Sequence, residues 1–184
     1  FSEVPFGNPQ SPAERIDPWD QRQEVVIGQS GIRLKGRIDR VDVKADRRGV
    51  RMSDYKTGLT PRNIRDVILD GGAEVQRALY AITIRQLIPE ANTIITRLVY
   101  LDTMGPAAGL DGEILERAEE TLLRFIDIAV EGLKSGAAYP GPDAFAGYND
   151  LRIALPAALD RYRGRKAEGF NAAQQKLVPL WDEP

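Results

Sequence analysis

Asp39, Asp54 and Lys56 lie in two short runs, GRIDRVD (residues 36–42) and SDYKTG (residues 53–58), separated by the charged stretch VKADRRGVRM. Two acids and an amine at this spacing can do chemistry together if the runs pair as antiparallel strands. With a turn centred between Asp46 and Arg47, Val43 faces Val50, Val41 faces Met52, and Asp39 faces Asp54. Side chains alternate along a strand, so these pairs and Lys56 share one face. That face is apolar near the turn and becomes Asp, Asp, Lys at its far end. On the other face Asp42 meets Arg51, Arg40 meets Ser53 and Ile38 meets Tyr55. A slip of one residue would spoil the apolar pairing.

Directly opposed carboxylates sit about 5 Å apart at Cβ, where like charges are destabilising. Such a pair raises one pKa or recruits a cation. Lys56 can be that cation, which gives a salt-bridged cluster and nothing more. A divalent ion bridging both aspartates is the alternative. It leaves Lys56 to orient or activate a water and to steady developing negative charge. Hydrolysis of a phosphodiester suits such a site, because an anionic phosphate oxygen can complete the metal shell. The 184-residue chain contains no His and no Cys, which excludes imidazole bases, Ser-His-Asp triads, thiolate sites and disulfides. Oxygen ligands alone select a hard cation such as Mg²⁺ or Mn²⁺.

The elements that must position these groups follow from pattern. The first 20 residues, rich in Pro and polar side chains, read as an irregular lead-in. Residues 23–29, 32–43 and 50–57 read as strands, with KADRRG as the turn between the last two. PRNIRDVILDGG then leads into a helix at about 73–88, which Pro89 stops. TIITRLVYLD (93–102) is a strand rich in β-branched residues, and a second helix fits 111–134, ending near Gly136. Residues 137–150 are loop-like, and helical patterning returns around 156–168. The order β-β-β-α-β-α predicts an α/β domain with a mixed sheet and a helical C-terminal extension. Its expected parts are a lead-in over 1–22, a core over 23–136 and an extension over 137–184.

Hydrophobic residues make up 42% and charged ones 28%, as in an ordinary globular domain. No apolar run nears the roughly 18 residues that span a membrane, and no signal peptide is visible, so no membrane partner is expected. A cysteine-free chain is compatible with the cytoplasm, and a start at Phe1 rather than Met reads as a piece of a longer protein. Net charge is −2, so there is no overall positive field for nucleic acid. Local basic runs (Arg47 and Arg48, Arg62 and Arg65, then Arg161, Arg163, Arg165 and Lys166) are either solvated faces or phosphate contacts.

Asp39 followed by Asp54-Tyr55-Lys56 resembles the PD-(D/E)xK nuclease signature. Together, GRIDRVD, DYKTG and the later QRALY are similar to the RecB/AddB/Cas4-like branch of that superfamily. The resemblance implies a restriction-endonuclease-like mixed central sheet flanked by helices. It makes Asp39 and Asp54 metal ligands, with the Tyr55 carbonyl completing the shell, and Lys56 the catalytic lysine. Gln76 and Tyr80 match the QxxxY pair, and their i, i+4 spacing puts both on one helix face. It further implies a DNA nuclease, an exonuclease above all, of the kind found in DNA repair helicase–nucleases. Its partners would be DNA, held mainly by the backbone, and helicase domains or subunits of a parent protein. A degenerate nuclease-fold module for DNA binding or assembly is the alternative. Two family features are missing. The upstream metal-binding His is absent, and Glu3 is the nearest carboxylate to its place. AGYNDLRIAL (146–155) resembles the frame of a cluster-binding segment but has Ala146, Asn149 and Leu155 where cysteines would stand. No iron–sulfur cluster can form without thiolates.

Overall fold

A computed structural model of the chain describes residues 1–11, 17–102, 108–136 and 153–184. Residues 137–152 lie outside that set, and with them the expected loop and most of the cluster-like frame, including Asp150 and Arg152. The chain divides into two compact units, one of residues 1–127 with 180–184 and one of residues 128–179.

The first unit is built on a five-stranded mixed sheet in the order β1-β4-β5-β6-β7. Its strands are β1 (Ser2–Phe6), β4 (Gly36–Val43), β5 (Gly49–Lys56), β6 (Thr93–Tyr100) and β7 (Ala108–Asp111). Helix α1 (Gln76–Leu87) joins β5 to β6, which are parallel, and α2 (Gly112–Lys134) follows β7. A second, two-stranded sheet pairs β2 (Val25–Ile27) with β3 (Ile32–Leu34). The core lies on one face of the large sheet. There Val41, Val50, Met52 and Ile94 meet Ala81 and Ile84 of α1 and Leu115, Ala118 and Leu122 of α2. Each of the larger side chains, Val, Met, Ile or Leu, contributes about 1.5–3 kcal/mol on burial. The second unit contains α3 (Leu159–Gln174), the helix expected near 156–168, and the chain continues into α4 (Val178–Trp181).

The central hairpin has the expected register, with Val43 opposite Val50, Asp42 opposite Arg51, Val41 opposite Met52 and Arg40 opposite Ser53. Arg47 occupies the left-handed region at φ 58°, and Lys44 and Gly49 close the turn with a 2.8 Å backbone bond. Asp42 accepts from Arg51 at 2.9 Å and pairs with Arg40 at the same distance, so it is structural.

Four expectations need correction. Residues 2–6 are an edge strand and not part of an irregular lead-in: Val4 and Phe6 enter the core while Pro5, tolerated at an edge, pairs with Arg37. The Trp19 indole holds this strand through a 2.8 Å bond to the Pro5 carbonyl. The single strand expected over 32–43 is two. Gly7, at φ 67°, leaves β1 so close to Leu34 that an added Cβ would lie 2.1 Å from the Leu34 carbonyl oxygen. β3 therefore turns off to β2, and β4 starts afresh at Gly36. Strand β7 falls in a Gly-containing stretch, AGLD, too short to show a period. Finally, the two far rungs expected of the hairpin, Asp39 opposite Asp54 and Ile38 opposite Tyr55, are not in the ladder, which ends at Arg40 and Ser53. Ile38 and Val41 are both fully buried, which strict alternation forbids across two intervening residues, while Tyr55 is exposed. The pleat is interrupted at Asp39, beside Glu3 with its φ of 51° on β1.

Candidate active site

That interruption is where the chemistry collects. The β4–β5 ladder stops at Arg40 and Ser53, although β5 runs on to Lys56. Beyond the last rung, the Asp39 carboxylate replaces the missing backbone acceptor: Tyr55 N–H donates to its Oδ2 at 2.9 Å. On its other side β5 stays paired with β6 all the way to Lys56 and Tyr100. The opening is therefore confined to the β4 side. A residue's N–H and C=O point to the same edge of an extended strand, so the Tyr55 carbonyl faces this opening as well. Its side chain is on the outer face.

Met52, Asp54 and Lys56 follow one another on the core side of β5. Asp54 is the end of the buried run, with its side chain 8% exposed, and Lys56 emerges at 35%. Helix α1 begins at Gln76, so its first turn is aimed at these two residues. The Gln76 amide bridges them: its Oε1 accepts from Lys56 Nζ at 2.7 Å and its Nε2 donates to Asp54 Oδ1 at 2.6 Å. The same amide nitrogen is 2.7 Å from the Tyr80 hydroxyl, one turn on. Tyr80 donates to the Arg37 carbonyl at 3.3 Å, and it also approaches Asp54 Oδ1 at 3.5 Å. Burial pushes the Tyr80 hydroxyl up to about 12, and the charges of Asp54 and Asp39 add to the rise. Asp39 accepts from the Tyr55 N–H while Asp54, the residue before Tyr55, accepts from Gln76, so both carboxylates lie at this end of the hairpin. Asp54, Lys56, Gln76 and Tyr80 form a single bonded cluster with Asp39 alongside.

The donor set fits a hard cation. Asp54 Oδ2 is buried and receives no directed hydrogen bond; Lys56 Nζ, 2.6 Å away, meets it as a charge contact. Asp39 uses one oxygen on Tyr55 and has the other to offer among the described residues. No group of three or more acidic side chains is assembled among the described residues, so water would have to fill the remaining positions. Glu3 is turned elsewhere, forming an exposed pair with Arg37 at 3.1 Å. Gly58 is not required by packing, since a Cβ there would meet no protein atom within 4 Å.

Two supports were not foreseen. Arg77, beside Gln76 in the sequence, is almost fully buried; it pairs with Glu74 and donates to the Val67 carbonyl at 2.8 Å. It ties the start of α1 to the connector that returns from Lys56. Thr60 is fastened to the end of β6, its N–H and hydroxyl donating to Asp102 at 2.9 and 2.6 Å. An arginine in QRALY looks like any solvated helix residue, and nothing local marks it as buried. No curated protein and no solved structure matches the chain. Residues 2–179 do match the family model of the PD-(D/E)XK nuclease superfamily. With that match over nearly its whole length, and with a mixed five-stranded sheet flanked by helices in the restriction-endonuclease-like manner, the chain belongs to the PD-(D/E)XK nuclease superfamily.

Proposed function

We propose that this domain is a divalent-metal-dependent DNA nuclease, most closely allied to the RecB/AddB-like exonucleases of DNA repair helicase–nucleases. Superfamily membership makes a nuclease domain the coarse reading, with DNA as substrate and a divalent metal such as Mg²⁺. The finer reading rests on one observation: Lys56, Asp54, Gln76 and Tyr80 converge beside Asp39 where the hairpin ladder ends. Asp39, Asp54 and the Tyr55 carbonyl would hold Mg²⁺ or Mn²⁺. When bound, the ion supplies Lewis-acid polarisation of a phosphoryl oxygen and lowers the pKa of a water. Lys56 is held from within by Gln76 and Asp54 and has donor capacity left on its exposed side. There it steadies the charge that develops on the phosphate during in-line attack. Gln76 fixes the direction of both charged groups, and Tyr80 stays a neutral donor throughout the physiological range. The parent would be a cytoplasmic repair protein whose helicase parts deliver the DNA. Among the described residues no helix is long and apolar enough to cross a membrane.

The test is degradation of linear single- and double-stranded DNA with Mg²⁺ or Mn²⁺, comparing wild type with Asp54→Ala and Lys56→Ala, and with Mn²⁺ binding measured on the same samples. Metal-dependent cleavage lost in both variants is expected. Cleavage equal in all three proteins would remove the nuclease assignment. DNA and metal binding without cleavage would support a module kept for binding or assembly.

A further inference from the structure

The ten residues after Lys56 leave the sheet and are then held unusually firmly for a loop. Leu101 N–H bonds the Lys56 carbonyl at 3.1 Å, and Thr60 is clasped to Asp102 by two bonds. Further on, Ile64 and Val67 are buried against Leu98 and Ala108, and backbone bonds from Ile64 to Pro61 and from Asp66 to Asn63 fold the segment into successive turns. A loop fixed at so many points presents its outward side chains from a rigid base. Leu59, Arg62 and Arg65 are among those exposed side chains, together with Thr57, Pro61, Asn63 and one acid, Asp66. Leu59 is 85% exposed, only three residues from Lys56, and Leu101, whose N–H bonds the Lys56 carbonyl, is 56% exposed. Neither Arg62 nor Arg65 has an acidic partner among the described residues, a state shared with Arg97, which bonds Ser53, and Arg124, which lies over the Phe125 ring. Unlike them, these two have no other side-chain contact among the described residues that would occupy the guanidinium. The space around Gly58 is open.

Resting on the nuclease reading, we propose that this loop is a contact platform for an unpaired DNA strand. Leu59 packs on the base next to the scissile phosphate, and Arg62 and Arg65 hold the phosphates beyond it. The occupant follows from the chemistry of the three groups. A leucine has no hydrogen-bonding group, so on nucleic acid it can meet only a base face or a sugar. Base faces are covered in a stacked duplex and available in a single strand or a frayed end. The two unpaired guanidiniums complement backbone phosphates and carry no sequence information. The platform therefore favours unpaired ends without reading sequence.

The experiment uses Lys56→Ala as a cleavage-silent background and follows fluorescence anisotropy of a labelled single-stranded oligonucleotide and of a blunt duplex of the same length. Adding Leu59→Ala is expected to weaken the single strand about five- to tenfold, the scale of one lost apolar side-chain contact, with duplex affinity and salt dependence unchanged. Adding Arg62→Ala with Arg65→Ala should weaken both substrates and flatten the single-strand plot of log K against log salt by about 1.4, from roughly 0.7 per phosphate contact. Leu59 is nearly free of packing, so its replacement does not threaten the fold. A Leu59→Ala protein that binds the single strand within twofold of its background overturns the proposal and leaves the exposed leucine to a protein partner. Equal weakening on both substrates also overturns it. Cleavage by Lys56→Ala at the wild-type rate would instead defeat the nuclease reading, so the two failures are distinct.

Discussion

Removing the Gln76 amide should loosen the whole cluster while leaving its charges in place. Gln76→Ala deletes bonds to Lys56 Nζ, Asp54 Oδ1 and the Tyr80 hydroxyl, at 2.7, 2.6 and 2.7 Å. Bonds to charged groups contribute about 1.5–3 kcal/mol each and neutral ones about 0.5–1.5. Water can replace the amide on Lys56, whose side chain is 35% exposed, but much less readily on Asp54, at 8%. Asp54 then relies on Lys56 and on the long contact with Tyr80 at 3.5 Å. The net loss is therefore about 2–3 kcal/mol, dominated by the buried carboxylate. For a chain of this size that is a fall in Tm of roughly 5–10 °C. Urea denaturation followed by circular dichroism gives the number directly, with an unchanged m-value showing that the same surface unfolds. The bridging role adds a second demand. In a double-mutant cycle with Lys56→Met, the two losses should fall short of additivity by about 1 kcal/mol. A cost below about 0.5 kcal/mol, or strict additivity, would mean that Gln76 merely lies near these groups.

Two further outcomes follow from groups around the cluster. The Tyr80 hydroxyl sits at about 12, against about 10 in an unfolded chain, so the fold favours its neutral form. That contribution, at most about 2–3 kcal/mol, is complete below pH 10 and is lost as pH rises from about 10 through about 12. Absorbance titration at 295 nm should show one late-ionising tyrosine in wild type that Tyr80→Phe lacks; a difference centred near pH 10 would contradict the burial. Arg77→Ala leaves Glu74 and two connector carbonyls without their buried donor and should cost about 3–5 kcal/mol. Lysine, without the planar fork, should recover little of this. Amide exchange across residues 67–74 would rise in both variants, and protection equal to wild type would show that Arg77 does not hold the connector.

The register of the central hairpin was legible because Val41, Met52, Val43 and Val50 can be paired in only one way that keeps an apolar face together. Asp54, Lys56, Gln76 and Tyr80 were legible as a group only through the motif resemblance, since residues on a strand and on a separate helix carry no mutual signal of periodicity. What stayed hidden depended on tertiary context. Strand β1 is stabilised by where Val4 and Phe6 end up, while its Pro5 and the Gly7 after it read locally as loop. The break at Asp39 had one local sign, since Ile38 falls on the polar face of a strictly alternating GRIDRVD strand, but the alternation expected from the sequence runs straight through it. It exists because Ile38 is taken into the core and Asp39 finds a backbone donor instead. Arg77 was hidden for a related reason: a buried guanidinium is stable only with partners that the fold alone supplies.

The rung supplied by Asp39 separates architecture from charge at that position. Tyr55 N–H asks only for an oxygen, which an asparagine carries as well as an aspartate does. A cation asks for the negative charge. On the metal role proposed for Asp39, one neutralising substitution would silence the domain while its sheet stands untouched, and descendants of this chain would lose catalysis and keep their shape, free to survive as docking parts.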